Sequence, residues 1–278
     1  MPPDWACSAC GWAPTFQAGV ALTKPEDCGR IAGIDPAAFA QLDAVEAGHF
    51  WFESRRDLIV DLLRRFAPRA ESYFEIGCGG GFVLSRIVNS RSWRRVVGTE
   101  LHVEGLAIAR MRLPASVELI QICAGTPIAS NAFDVAGAFD VIEHVPDDLS
   151  ALGVMHRALR PGGMALITVP QHMWLWSKSD DIALHQRRYR RGELEGKLRR
   201  LGFEVVFSSS FNALLLPAAL IHRLRPAKDE LERIAQEMRP VGALNEVLKA
   251  VLTFETALTR YGMRWPVGVS RVVAARKV

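Results

Sequence analysis

The stretch YFEIGCGGGF, Tyr73 to Phe82, decides the fold. A short apolar strand carrying one acid, Glu75, runs into glycines at 77, 79, 80 and 81, and a helix-like run begins at Phe82. Gly77 suits a positive φ. Gly79 and Gly81, lacking a Cβ, let a ligand approach the backbone while the helix amides point toward it. This is a nucleotide-cradling turn. A dinucleotide-binding turn reads G-x-G-x-x-G/A, and counted from Gly77 its third small residue falls on Phe82, which weakens a pyrophosphate reading.

Outward from the turn, RRVVGTE (Arg94 to Glu100) reads as a second strand whose last residue stands where a doubly wound sheet offers a carboxylate to a ribose. Strand-like runs near 72–76, 95–99, 117–122, 134–140 and 164–169 alternate with helix-like runs near 82–90, 103–112, 148–159 and 191–201. Gly202 to Ser210 makes a sixth strand and Gly268 to Val278 a seventh. The expectation is an α/β fold: a doubly wound, seven-stranded, mostly parallel sheet with ligand at the carboxyl ends of its strands.

FDVAGAFDVIEHVPDD (Phe133 to Asp148) and ALRPGGMALITVP (Ala158 to Pro170) make the pattern specific. Together with the glycine turn they resemble the class I S-adenosylmethionine-dependent methyltransferases, the Rossmann-like family that includes the ubiquinone-biosynthesis enzymes, over roughly residues 45 to 210. The resemblance implies that Glu75, Gly77, Cys78, Gly79 and Gly81 hold the methionine part of the donor, and that Glu100, with Leu101 beside it, holds the ribose. Phe139 to His144 would face the transferable methyl group. An acid after the third strand commonly reads adenine in this family, but QICAGT (Gln121 to Thr126) has none. Backbone groups at Cys123 and Ala124 are then expected to serve, with Ile128 as an apolar wall. The last strand is implied to lie antiparallel between the fifth and sixth.

Methyl transfer from a sulfonium mainly requires holding a nucleophile in line, and removing a proton where the acceptor is a hydroxyl. His144 and His185 are the candidate bases, against a reading in which they only anchor loops. Asp140, Glu143 and His144 form a D-x-x-E-H spacing similar to the E-x-x-E-H site of ubiquinone-biosynthesis O-methyltransferases, which implies Mg²⁺. QHMWLWSKSDDIALHQRRYRR, from Gln171, is read as the acceptor-side loop. Trp174 and Trp176 give it an apolar wall, Arg188 and Tyr189 supply charge and hydrogen bonds, and Arg187 or Arg188 bridges to Asp180 or Asp181.

The remainder is read as attachments. Residues 1–34 form a cysteine-containing arm: Cys7, Cys10 and Cys28 resemble half of a degenerate zinc ribbon that would need an outside ligand such as Asp27 or His49. Residues 35–278 are the catalytic domain, with 35–66 as a helical cap whose Arg55, or Arg56, would pair with the donor's carboxylate. Residues 211–266 are a helical insertion containing ALLLPAALIHRL, which is too short to span a bilayer. It is read as a lid over an apolar substrate, a homodimer contact, or a peripheral membrane foot with Arg223 and Arg225 near headgroups.

Across 278 residues, 49% hydrophobic content supports a sizeable core, and a net charge of +4 does not imply nucleic-acid binding. No signal-peptide pattern is expected at the amino end, so a cytoplasmic enzyme is the expectation. The reading is a methyltransferase that moves a methyl group to the hydroxyl oxygen of an apolar or amphipathic small molecule. Its alternatives are an NAD(P)-dependent oxidoreductase and a non-catalytic cofactor-binding protein.

Overall fold

The computed structural model describes residues 11, 13–23, 35–36, 38–122, 128–224 and 242–278. Thr15–Gln17 (β1) and Val20–Leu22 (β2) form a hairpin. Its two turn residues, Ala18 and Gly19, take φ of 48° and 78°, the sense that suits the twist of a two-residue hairpin turn. Helices α1 (Ala38–Glu46) and α2 (Phe50–Phe66) follow. Then come β3 (Ser72–Ile76), α3 (Phe82–Val88), β4 (Arg95–Glu100), α4 (Val103–Arg112), β5 (Glu118–Gln121), β6 (Phe133–Phe139), α5 (Asp148–Ala158) and β7 (Leu159–Pro170). The short α6 (Lys178–Ile182) and α7 (Glu193–Arg200) lead to β8 (Phe203–Phe211), and α8 (Leu216–Leu224) and α9 (Gly242–Arg260) precede β9 (Ser270–Lys277).

The strands make one sheet in the order β1-β2-β5-β4-β3-β6-β7-β9-β8. It is parallel from β2 to β7, while β9 runs antiparallel between β7 and β8 as the resemblance implied. The expected count of seven strands is corrected to nine, because the hairpin joins the β5 edge. Strands of three residues carry too little alternation to be read from sequence. From β3 the chain builds outward through β4 and β5 and then returns to lay β6 on the other side of β3. Ligands in such sheets sit at the carboxyl ends beside that reversal, which here means the ends of β3 and β6.

The sheet separates two apolar layers, one formed with α2, α3, α4 and α9, the other with α5 and α7. The expected helical stretch from 35 to 66 is broken at Gly48, where φ is 86°. His49 caps α2, its Nδ1 accepting the Trp51 amide at 3.2 Å. Asn245 of α9 clamps the break by donating to the Gly48 carbonyl (2.8 Å) and accepting the Phe50 amide (3.0 Å). Leu252 of α9 is fully buried, a contribution of about 2 kcal/mol. Lys249 pairs with Glu53 at 2.5 Å and Arg260 with Asp61, partly exposed contacts that add less. Thus α9, drawn from the 211–266 segment, fixes the helix that delivers Arg55 to the site.

Candidate active site

Gly77 follows β3 with φ of 68°, and a Cβ there would stand 2.5 Å from the Val141 side chain. Only glycine lets the turn pass under the segment after β6. The turn is tied sideways to β4: the Cys78 amide donates to the Thr99 carbonyl (2.8 Å), and the Thr99 hydroxyl donates to the Glu75 carbonyl (2.8 Å). Glu100 accepts the Gly79 amide at 3.0 Å through one oxygen and the Leu101 and His102 amides at 2.7 and 3.2 Å through the other. Three of about four lone-pair directions are thereby occupied, which leaves one for a further donor. Cys78 is buried and packs as an apolar residue, its thiol pushed up well above the usual range by burial. Phe82 is buried too, with the Phe52 ring against it and the guanidinium groups of Arg56 and Arg112 over it. A dinucleotide turn needs a small residue there.

Arg55 is the central cation. It is buried, pairs with Asp140, and lies 4.5 Å over the Trp51 ring. Burial lowers its pKa to about 10, and Glu46, Glu143 and Glu75 oppose that shift. Its Nε is buried without a partner, so a donor remains for a carboxylate. Glu75 is likewise buried, accepts the Tyr73 hydroxyl at 2.7 Å, and is raised to about 7 by desolvation against the pull of Tyr73 and Arg55.

On the other side, the expected Asp140–Glu143–His144 grouping gives way to a different one. Asp140 has φ of 55° and turns its carboxylate onto Arg55. Glu143, His144 and His185 instead present ligand atoms that all lie within 4.8 Å of one another. Glu143 is fully buried with neither carboxylate oxygen partnered, and desolvation lifts it to about 8. His144 has an unpartnered, buried Nδ1 and a bond with the Ala183 backbone, and burial lowers it to about 4. His185 sits edge-on to His144 at 4.7 Å between ring centres, and its Nδ1 is 2.8 Å from Asp180. The Gln186 amide donates to the Glu143 carbonyl at 2.8 Å, bolting the two segments together.

Asp180 organises this side. It is 1% exposed and accepts Arg188 Nε (2.7 Å) and the Ser177 amide (2.8 Å) besides meeting His185, and these partners drive its pKa down against desolvation. The expected bridge from Arg188 to Asp180 is therefore present. Arg188 and Tyr189, expected to touch the acceptor, are buried behind the loop: Arg188 also donates to the Gln171 carbonyl, and the Tyr189 hydroxyl donates to Asp148 at 2.7 Å. Trp174 stays outside, 57% exposed and stacked on His172 at 5.0 Å, while Trp176 donates to Asp181 at 3.0 Å. Sequence reasoning missed the role of Asp180, although Ser177-x-x-Asp180 has the spacing of a capping box, which the structure forms.

Asp140, His172 and Asn212, none of them glycine, have positive φ within two residues of the ends of β6, β7 and β8, and such strain collects at functional sites. Phe139 ends β6 nearly buried, and Ile128 packs on the α5 layer. Cys123 and Ala124, and the zinc candidates Cys7, Cys10 and Cys28, lie outside the described residues. A separate hollow of about 420 Å³, lined by Asp134, Arg160 and Gly162 among others, opens at the amino ends of the strands, away from every candidate group.

The family described as "Methyltransferase domain" matches residues 49–207, more than half of the chain. A Mycolicibacterium smegmatis protein named "Probable S-adenosylmethionine-dependent methyltransferase" is 31% identical over 160 residues, covering 56% of this chain and 60% of the relative. The ubiquinone biosynthesis O-methyltransferase of Pseudomonas aeruginosa is 28% identical over 153 residues, covering 50% and 64%. The chain thus spans less than two thirds of the length of these relatives. Among solved structures, phosphoethanolamine N-methyltransferase 2 of Haemonchus contortus, in complex with S-adenosyl-L-methionine, superposes with a TM-score of 0.54 at 19% identity, covering 80% of this chain and 52% of that one. At that identity the likeness shows the fold.

Proposed function

The chain belongs to the methyltransferase domain family, and we propose that it transfers a methyl group from S-adenosylmethionine to a hydroxyl oxygen of a small molecule. The observation that carries the reading is Glu100: one carboxylate shapes the glycine turn through the Gly79 amide and ends β4 beside the sheet's reversal, which supports its holding a ribose. The residues fit the donor. Arg55 keeps a buried, unpartnered Nε for the amino-acid carboxylate, and at Gly79 a Cβ would meet only the Phe39 ring, at 3.7 Å, which leaves the turn's backbone approachable there. When bound, the donor supplies an electrophilic methyl on a good leaving group.

The chain's own residues then position the acceptor and take its proton. His185, oriented by Asp180, is the stronger base candidate, and His144 beside it is kept neutral by burial. Oxygen is favoured over nitrogen or carbon because a hydroxyl needs such a base, and because one relative is named as an O-methyltransferase. Exposed Met173 and Trp174 suit an apolar or amphipathic acceptor. Among the described residues no helix is long and apolar enough to cross a membrane.

Calorimetric titration with S-adenosylmethionine, S-adenosylhomocysteine and NAD tests the reading. Saturable binding of the first two, weakened about ten-fold or more by Glu100→Ala, is expected. Absence of heat with the sulfonium, or preferential binding of NAD, overturns it.

A further inference from the structure

Helix α9 has two faces. Asn245, Leu252, Glu255, Thr256 and Thr259 are buried against the rest of the chain. The outward face carries Leu244, Val247, Val251, Phe254, Leu258 and Tyr261, spaced three and four residues apart, the a and d spacing at which one helix lays a seam against another. Tyr261 lies one residue past the end of α9, its amide still bonded to the Ala257 carbonyl at 3.1 Å. Leu244, Val247, Phe254 and Tyr261 are 53% to 89% exposed, and Val251 and Leu258 are half-buried. Single apolar side chains on a surface are ordinary. A continuous seam of six, about 26 Å long at 1.5 Å per residue, marks a contact surface.

The order of side chains along the seam selects the partner. Laid antiparallel on an identical helix, about a two-fold axis between Val251 and Phe254, Leu244 meets Tyr261 of the second copy, Val247 meets its Leu258, and Val251 meets its Phe254. Each layer then sets a larger side chain against a smaller one. A parallel pair would instead put Phe254 on Phe254 and valine on valine, leaving the layers uneven. Beside the seam Ala243, Ala250 and Ala257 recur every seven residues, small enough to let the two helices approach closely. Next to them, exposed Glu246 comes level with Arg260 of the second copy. Arg260 is 61% exposed and spends one nitrogen on Asp61, so its guanidinium keeps donors for a second carboxylate. A parallel pair would bring Glu246 onto Glu246, so charge also favours the antiparallel arrangement. Exposed Met263 and Val267 lengthen the apolar strip beyond the helix. Covering it on both copies would bury roughly 1,000–1,400 Å² in all, the range in which specific interfaces begin. We propose that two copies of this chain associate through the outer face of α9, antiparallel about a two-fold axis at residues 251 and 254. The inference does not rest on the methyltransferase reading.

Sedimentation velocity over about 1 to 200 µM tests the interface. The mass should rise from that of one chain toward that of two, with half-association at roughly 1–50 µM for a contact of this size. Phe254→Glu and, separately, Val247→Glu should each weaken association at least about thirty-fold, since each sets a charge against an apolar side chain of the second copy. Both positions are exposed in the single chain, so the urea midpoint of the monomer should not move. Glu246→Arg should weaken association about three- to ten-fold. Orientation is read by cross-linking: an equal mixture of Leu244→Cys and Tyr261→Cys chains should oxidise to a mixed disulfide above the wild-type background, and more than either variant alone. A monomer at every concentration, association that survives both glutamate variants, or cross-linking within one variant and not between the two overturns the proposal. So does either other occupant. A monomeric wild type that binds phosphatidylglycerol-containing vesicles, with binding lost in Phe254→Glu, would make the seam a membrane contact. A monomer destabilised by Phe254→Glu would mean that another part of the same chain covers it.

Discussion

The two sides of the mouth are built by different means. The glycine-turn side, from Gly77 to His102, where the donor is proposed to bind, is held by backbone amides and carbonyls, with its organising contact, Gly79 to Glu100, only 21 residues long. The side formed by the segments after β6 and β7, proposed for the acceptor, is held by buried side-chain pairs: Tyr189 to Asp148 across 41 residues, and Arg188 to Asp180. The first depends on conformations that few residues can adopt, the second on charges that few environments can hold. Damage to one side should therefore leave the other largely intact.

Asp180→Ala should do the most harm. It strips the buried Arg188 guanidinium, His185 and the Ser177 amide of a shared acceptor, and an uncompensated buried charge costs about 3–5 kcal/mol. Urea unfolding should show that loss, while S-adenosylmethionine affinity of the remaining folded protein stays within about three-fold. A collapse of donor binding in folded protein would show that the two sides form one cooperative unit.

Gly77→Ala attacks the other side. The positive φ costs an alanine about 1 kcal/mol, and crowding against Val141 adds about 1–3 kcal/mol. Donor binding should fail with it. The double variant Gly77→Ala, Val141→Ala should regain part of the crowding cost and none of the backbone cost, so a double-mutant cycle by urea unfolding separates the two. Exact additivity would mean that Val141 does not press on the turn.

The same contrast explains what the sequence disclosed. Glu75, the glycines and Glu100 were legible because a strand, a positive-φ turn and an acid at the next strand's end must occur at near-fixed spacing. The antiparallel last strand came with the family resemblance. Asp180, and the meeting of His185 with Glu143, were not legible, because they depend on how the segment after β7 folds back over the end of β6. Arg188 and Tyr189 misled for a related reason: charge and a hydroxyl beside two tryptophans read as a binding surface until Asp148 and Gln171 are seen to bury them. The β1–β2 hairpin was hidden by its shortness.

pH should separate the buried, raised carboxyls Glu75 and Glu143 from Asp180 by sign. Glu75 holds its proton to about 7 in the folded protein against 4.5 ordinarily. Its contribution is complete below pH 4.5 and lost as pH rises through 7, an effect of at most about 3.4 kcal/mol. Asp180 is shifted the other way from 3.8, so its contribution is present above that value and lost on acidification. Urea midpoints measured from pH 4 to 8 should fall with rising pH in wild type and fall less steeply in Glu75→Gln, where Glu143 supplies the remaining dependence. An unchanged slope in the variant would remove Glu75 as the source.

Trp174→Ala should have the smallest effect on the fold and a selective one on chemistry. Trp174 is more than half exposed and stacks on His172, so its loss should cost no more than about 0.5 kcal/mol. Donor affinity should stay within two-fold, since Trp174 lies on the segment after β7 and not on the glycine turn. If Trp174 forms part of the acceptor's apolar wall, incorporation of isotope-labelled methyl from S-adenosylmethionine into a metabolite extract should fall about ten-fold, in line with a lost aromatic contact of about 1–2 kcal/mol. Incorporation equal to wild type would make Trp174 ordinary surface and move the acceptor away from the segment after β7, toward α2 and α9.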